Sequence, residues 1–330
     1  MLTRLHFLLR LIAAPVCAAL VPASLALAAE GFHAARSVDP DGSVEIVGVS
    51  GSIEIAGWDR AEVDVSGPGD IGDRVRLTSD GSRTTIHVRP GSGSEHGESG
   101  APPLLIRVPA KNDVSVILVS ANLKVEGLQG DANLRTVSGN ISGEVGGDLR
   151  ANTATGFVHV TARAAKSTEI KTINGDVELK GGSGDVEVQT VSGNAKIDLG
   201  TLARGRFHSI SGNMSANLAL APDGDLDGES ISGNLRLDFP AAPSADFDIQ
   251  TFSGSIDNCF GPKAVQAHYG PGSRLEFRNG KGQARVRIET KSGDVHLCAA
   301  DSRRGAAARS SPREAAMASC RGTQGSLHTI

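Results

Sequence analysis

Val137-Ser138-Gly139-Asn140-Ile141 returns down the chain as Val191-Ser192-Gly193-Asn194-Ala195 and Ile210-Ser211-Gly212-Asn213-Met214, and this recurrence decides the fold. Aligned on the glycine, the steps fall at Gly139, Gly156, Gly175, Gly193, Gly212, Gly233 and Gly254, with Ala121 one step upstream and Gly293 two steps downstream. Their spacings are 18, 17, 19, 18, 19, 21, 21 and 39 residues. Five residues before the step nearly every copy is apolar (Val116, Leu134, Ile170, Val188, Phe207, Ile249, Ile288), and two residues after it likewise (Leu123, Ile141, Val158, Val177, Met214, Leu235, Val295). Three residues before it stand Thr136, Thr153, Thr172, Thr190, Ser209, Ser230, Thr251 and Thr290.

A unit of about 19 residues is too short for a strand, a helix and two loops, but it holds two short strands joined by tight turns. Alternation inside the copies is that of strands: Val177 and Leu179, Val186 and Val188, then Met214, Ala216, Leu218 and Leu220. One copy cannot bury its own apolar face, so stacking is the available solution. The expected fold is therefore all-β, a parallel β-solenoid of about 19-residue coils with two short strands each, its rungs about 4.8 Å apart. Gly139, Gly156, Gly175, Gly193, Gly212, Gly233, Gly254 and Gly293 are its expected corners, where Ser-Gly-Asn and Asn-Gly-Asp supply positive φ and side chains that bond neighbouring backbone. Asn140, Asn194, Asn213 and Asn234 share one corner position, which reads first as structural bonding between coils and second as a ligand-binding polar ladder.

Arg4 and Arg10 precede an apolar run over residues 11–27 that ends in Ala26-Leu27-Ala28. This reads as a secretory signal peptide over residues 1–28, because Pro15 and Pro22 interrupt a run too short for a membrane span. Cys17 goes with it. The formal charge is −4; without Arg4 and Arg10 it is −6, and without the five arginines and two acids after Ala299 it is −9. With no basic cluster in that body, nucleic acid is excluded as a partner class. Glycine at 41 of 330 residues and aromatics at 3% exclude a helical bundle or coiled coil, while 39% apolar residues in regular recurrence exclude wholesale disorder.

The Val137-Ser138-Gly139-Asn140-Ile141 type of repeat, Leu105-Ile106-Arg107-Val108-Pro109 leading into it, and the earlier Val49-Ser50-Gly51-Ser52-Ile53 with Gly57-Trp58 together resemble DUF4097, a bacterial family of proposed adhesins with β-strand repeats. The resemblance covers roughly residues 40–298. It implies an exported parallel β-solenoid and an adhesive role, and it brings no catalytic residues.

Four segments follow: the signal peptide; a strand-rich N-terminal region over residues 30–120, with strands near 44–46, 53–55, 63–65 and 84–88; regular repeats over 121–298; and a disordered tail over 299–330. Residues 91–100, a run of Gly, Ser, Glu and His, read as a mobile loop.

Chemistry is sparse. There is no zinc-protease histidine pair, phosphate loop, Cys-x-x-Cys or nucleophile elbow. Gly181-Gly182-Ser183-Gly184-Asp185-Val186 approaches a calcium-binding nonapeptide, but its aspartate arrives one residue early. Asp223, Asp225 and Asp227 read as a solvated acidic loop, and His159, His208, His268 and His296 as scattered surface or edge residues. No catalytic, metal or cofactor site is assigned, and no cofactor is expected. Trp58 and Tyr269 stand alone of their kinds, which speaks against sugar stacking. Phe207 and Phe277 fall in strand positions.

Cys259 and Cys298 lie in the last coils of a chain read as exported, and are expected to form a disulfide that clamps an end no further coil covers; Cys320 is left odd. The expected function is an exported, non-catalytic binding or structural module of the envelope, periplasmic, cell-surface or secreted, with an envelope protein or glycan as partner. Two alternatives stay open: a polysaccharide-acting enzyme on the same scaffold, and a periplasmic accessory protein without adhesive role. With apolar positions assigned to the interior, binding is expected along stacked polar edges.

Overall fold

The computed structural model describes residues 31–90, 103–266 and 271–299. The signal-peptide reading, the run at 91–100, His268, Tyr269, Cys320 and the tail from residue 300 on lie outside the described residues, while Ala299, placed in that tail, ends the strand Val295–Ala299. The fold is all-β with a mostly parallel sheet and one short 3₁₀ turn, Gly69–Arg74. The strands stack as two faces that meet at the glycine corners.

On the face before the corner, Asp113–Leu128, Ala132–Ser138, Leu149–Thr155, Ser167–Asn174 and Gly184–Ser192 pair in parallel, each on the one before. The second halves of Ala195–Ser211 and Met214–Ser232 continue this face. On the face after the corner, Ile141–Val145, Val158–Ala162 and Val177–Gly181 stack in the same way, followed by the first halves of those two long strands. Alternation places Leu134, Ile141, Val158, Ile170, Leu179, Val188 and Phe207 in the interior at 0% exposure, with Val177 beside them at 2%. Burying each such chain contributes roughly 1.5–3 kcal/mol. The threonine row is also buried, and at several levels its hydroxyls turn to corner carbonyls: Thr153 donates to Gly139 O at 3.3 Å and Thr290 to Gly293 O at 3.3 Å, whereas the hydroxyls of Thr172 and Thr190 are buried without a hydrogen-bond partner.

The stack begins earlier than residue 121. Ser43–Trp58 pairs in parallel with Asp113–Leu128 from Ser43↔Asp113 to Ala56↔Glu126, and the latter strand runs straight through position 120. The strand-rich N-terminal region over residues 30–120 thus contains a coil of the stack with its own corner glycine, Gly51 at φ 118°. Two antiparallel devices close this end: Phe32–Ser37 on Glu62–Gly67 on Leu104–Pro109, and Val75–Asp80 on Arg83–Val88.

The other end departs from chain order. Ala284–Ser292 pairs with Met214–Ser232 on one side and Ala245–Ser253 on the other, and Val295–Ala299 lies between Leu235–Phe239 and Ile256–Asn258. The chain skips one level, forms the terminal coil, and returns to fill the gap, which accounts for the 39-residue spacing. Nor is that end bare: Ser273–Arg278 pairs antiparallel with Ala245–Ser253, and Phe277 stacks on Phe247 with ring centroids 4.5 Å apart. Cys259 and Cys298 are joined by a disulfide, linking the last two levels.

At one corner position, side-chain oxygens accept from the main chain of the next level. Asn194 Oδ1 accepts from Asn213 N–H at 3.2 Å, Asn213 Oδ1 from Asn234 N–H at 3.1 Å and Asn234 Oδ1 from Asp294 N–H at 2.9 Å. Asn140 Oδ1 accepts from Phe157 N–H at 3.1 Å, and there the row loses its acceptor. A matching acidic row holds the opposite turn, where Asp113 Oδ1 accepts from Asp131 N–H and Asp131 Oδ1 from Asp148 N–H. These bonds give the asparagine row a structural role between coils.

The last rung of the asparagine row is an aspartate. Asp294 Oδ1 accepts from the backbone N–H of Ser255 at 2.8 Å and from its hydroxyl at 2.7 Å, and these bonds hold the carboxyl below the ordinary aspartate value. A depressed folded-state value means stability that is complete above the unfolded-state pKa and lost as pH falls through the folded one. The final coils are therefore expected to keep this contribution from neutral pH down to about pH 4 and to lose it below, so that they are looser at about pH 3 than at about pH 7. Asp294→Asn keeps the acceptor without the charge, so it should flatten this part of the pH dependence, as read from urea midpoints at the two pH values. Asp294→Ala should lower the midpoint at both.

Candidate functional site

Because the threonine row points inward, the residues on either side of it point out. Immediately before each Ser-Gly this puts Val119, Val137, Ala154, Ile173, Val191, Ile210 and Ile231 in a single line up the outside of the stack, as the registers of the flanking residues require. Six of the seven are large exposed apolar side chains, from 39% exposure at Val191 to 56% at Val137. Lys291 takes the next level and Phe252, 70% exposed, the last. The apolar residues are thus not all spent on the interior, and the most continuous exposed row on this face is apolar, where polar edges were expected.

Two residues before each rung a second outward row runs parallel: Ile117, Arg135, Asn152, Lys171, Gln189, His208 and Glu229, then Glu289. Between the two rows lies a groove of about 890 Å³ with the threonine row as its floor. Its charges are graded. Lys171 Nζ sits 2.8 Å from Glu169 and 3.3 Å from Glu187, and its pairing with Glu169 chiefly raises its pKa while lowering that of Glu169. Towards the other end, Glu229 faces His208 at 3.3 Å and Glu289 pairs with Lys291. Arg135 has no carboxylate partner among the described residues; its Nε donates to Asn133 Oδ1 at 3.3 Å.

The histidines are not brought together. His159 faces Glu178 at 2.9 Å, His296 faces Asp257 at 2.9 Å and His208 lines the groove, each on a different coil. One imidazole nitrogen of His296 lies within 4.8 Å of both cysteine sulfurs, but these are bonded to each other and present no thiolate pair.

Asp223, Asp225 and Asp227 are not in a loop. All three belong to the strand Met214–Ser232, where Asp225 and Asp227 are level with Arg204 and Arg206 on one side and with Arg285 and Arg287 on the other. Asp223 and Asp225 are exposed, as expected of a solvated stretch, but they stand on a strand with arginines level on both sides and not on a loop. Gly181, Gly182 and Gly184, at φ 74°, 86° and 75°, form the turn between two strands, in keeping with a structural reading of that glycine cluster. Among the described residues no helix is long and apolar enough to cross a membrane.

A parallel stack with capped ends and one exposed apolar row defines the class of protein: an all-β repeat scaffold carrying a linear surface. The chain belongs to the Toastrack DUF4097 family, whose model matches residues 43–298. No curated protein matches it. Solved structures similar to it include a proposed cell-adhesion protein from Clostridium sporogenes, 11% identical, covering 82% of this chain and 100% of that one with a TM-score of 0.25. A proposed adhesin from Bacteroides fragilis is 11% identical, covering 81% and 97% at 0.40. A proposed lipid-binding protein from Parabacteroides distasonis is 12% identical, covering 81% and 96% at 0.35. At such scores the likeness does not extend to a shared ligand.

Proposed function

We propose that this chain is an exported, non-catalytic binding module of the bacterial envelope, adhesin-like in that it engages its partner along an extended edge. The observation that carries the reading is the exposed ladder from Val119 to Ile231 beside a continuous groove. Exposed apolar rows of this length are costly to leave in water and mark interaction surfaces. Export is supported by Arg4 and Arg10 ahead of the apolar run at 11–27, and by a disulfide that suits an oxidising compartment. The dispersed histidines, each facing a carboxylate on a neighbouring coil, favour a binding surface over the polysaccharide-acting enzyme.

Two measurements test this. Cell fractionation followed by cross-linking from a photoreactive residue at position 173 should capture an envelope component. Removing residues 176–212, which joins Gly175 to Asn213 and deletes two coils, should abolish capture while the shortened stack still unfolds cooperatively, because repeat stability is a nearest-neighbour property. Single substitution of His159 or His296, which do not line the groove, should change capture less than twofold. New reducing or unsaturated ends released from an acidic polysaccharide, and lost with one side chain, would establish the enzyme instead.

A further inference from the structure

We propose that the groove is the seat of one single-chain anionic lipid, its acyl chain lying along the ladder and its head group at Arg135. This rests on the groove being the binding edge, and it names the ligand class that edge fits.

Shape comes first. From Val119 to Ile231 there are seven levels, which at about 4.8 Å each make a trough about 29 Å long and only one side chain wide. A standard protein interface needs a patch of about 800 Å² per partner, a far broader footprint. The occupant is therefore slender and linear.

Hydrogen bonding narrows it further. The main-chain groups along the trough are committed to the parallel ladders between coils, directed along the axis. A peptide strand laid in the trough finds no row of free N–H and C=O groups, so strand addition is closed here. Between Val119 and Ile231 the ladder holds no aromatic ring on which a sugar could stack. Methyl and methylene groups dominate one wall, and an alkyl chain asks nothing more of it.

Charge then sets direction. Arg135 is the groove cation without a carboxylate partner among the described residues, whereas Lys171 is held between two glutamates and the far end carries Glu229 and Glu289. A carboxylate or phosphate head is attracted to Arg135 and repelled from the Glu229 end. From Arg135 the chain can run five levels to Glu229, about 24 Å, which suits a long acyl chain and not a short one. Each methylene lodged against the wall leaves water for an apolar surface, so affinity should climb with chain length.

The test is displacement of a 16-carbon fluorescent fatty acid from the full chain by unlabelled probes. Hexadecanoate should displace it saturably at one per chain and at least tenfold more tightly than octanoate. Ile173→Lys and Ile210→Lys, both at exposed positions and each checked by its melting curve, should weaken hexadecanoate about tenfold or more. Arg135→Glu should weaken hexadecanoate several-fold yet leave the uncharged 1-hexadecanol unchanged. Equal affinity for octanoate and hexadecanoate, no saturable displacement, or equal effects of Arg135→Glu on acid and alcohol would overturn the proposal. So would sedimentation showing that the groove pairs with a second copy which Ile173→Lys releases. In any of these cases capture of an envelope protein from position 173 would leave the binding-module reading standing, and failure of both would remove it.

Discussion

Gly193→Ala is expected to destabilise the stack by about 3 kcal/mol or more, and Gly193→Val by more still, whereas Gly51→Ala should cost only about 1–2 kcal/mol. Both glycines occupy the same corner of the repeat, and both have positive φ, 134° at Gly193 and 118° at Gly51. They differ in what lies beside them. A Cβ at Gly193 would fall closer than 3.0 Å to the carbonyl of Gly175, the corner of the adjacent level, while a Cβ at Gly51 meets nothing within 4 Å. Backbone cannot swing aside as a side chain can, so the central corner carries a steric cost on top of the left-handed strain. Gly139, Gly156, Gly212 and Gly233 each meet the preceding corner carbonyl in the same way. Gly175 lacks a positive φ but shares the clash, which makes Gly175→Ala a measure of packing alone. Urea unfolding of the three alanine variants separates the two contributions. Equal losses at Gly51 and Gly193 would show that corner stacking contributes nothing.

This contact also explains why the repeat is legible in the sequence while its assembly is only partly so. The corner admits only glycine where levels stack through the turn, so Gly139 to Gly254 stand out. Where alanine replaces it, at Ala121, the strand Asp113–Leu128 runs through without a break and the methyl turns inward at 3% exposure. The coil built on Gly51 was easy to miss because Glu62–Gly67, Val75–Asp80 and Arg83–Val88 intervene before its partner arrives. The inversion of the last two levels was illegible for a different reason. Ser253-Gly254 and Ser292-Gly293 carry the same local code, and their order is set by Ser273–Arg278 covering one side of Ala245–Ser253 and leaving only its inner side for Ala284–Ser292. That is a competition between distant segments, to which local alternation is blind. The ladder itself was legible in principle: once Thr172 and Thr190 are inside, Ile173 and Val191 must be outside. Apolar content alone does not reveal it, because the same count fits either parity. The aspartates of Met214–Ser232 misled because local composition cannot reveal the arginines that the fold sets beside them.

Removing the disulfide, by Cys259→Ser with Cys298→Ser, should weaken the last levels by about 4 kcal/mol and leave the middle of the stack untouched. The bond closes a sequence separation of 39 residues, so most of its contribution is the freedom denied to that stretch when it is detached. The stretch needs such a restraint. On the face after the corner the strand of its terminal level is short, Ile256–Asn258, three residues against Val295–Ala299, with the Cys259 N–H adding a bond to Leu297 O. The aromatic group of Phe239, Phe247, Phe260 and Phe277 gives it a second hold, since Phe260 packs edge-on to Phe239 at 6.1 Å across the gap that the returning strand fills. Losing the covalent link therefore should not unfold the chain but let the terminal level open on its own. Native-state hydrogen exchange separates these outcomes: amides of Asp257 and Val295, which face each other's strands in the ladder, should exchange up to about a thousandfold faster in the double variant, while those of Ile170 and Val188 keep their protection. A uniform acceleration across the stack would mean that the levels unfold as one unit, and no acceleration at the end would mean that the phenylalanines and the short strand suffice without the bond.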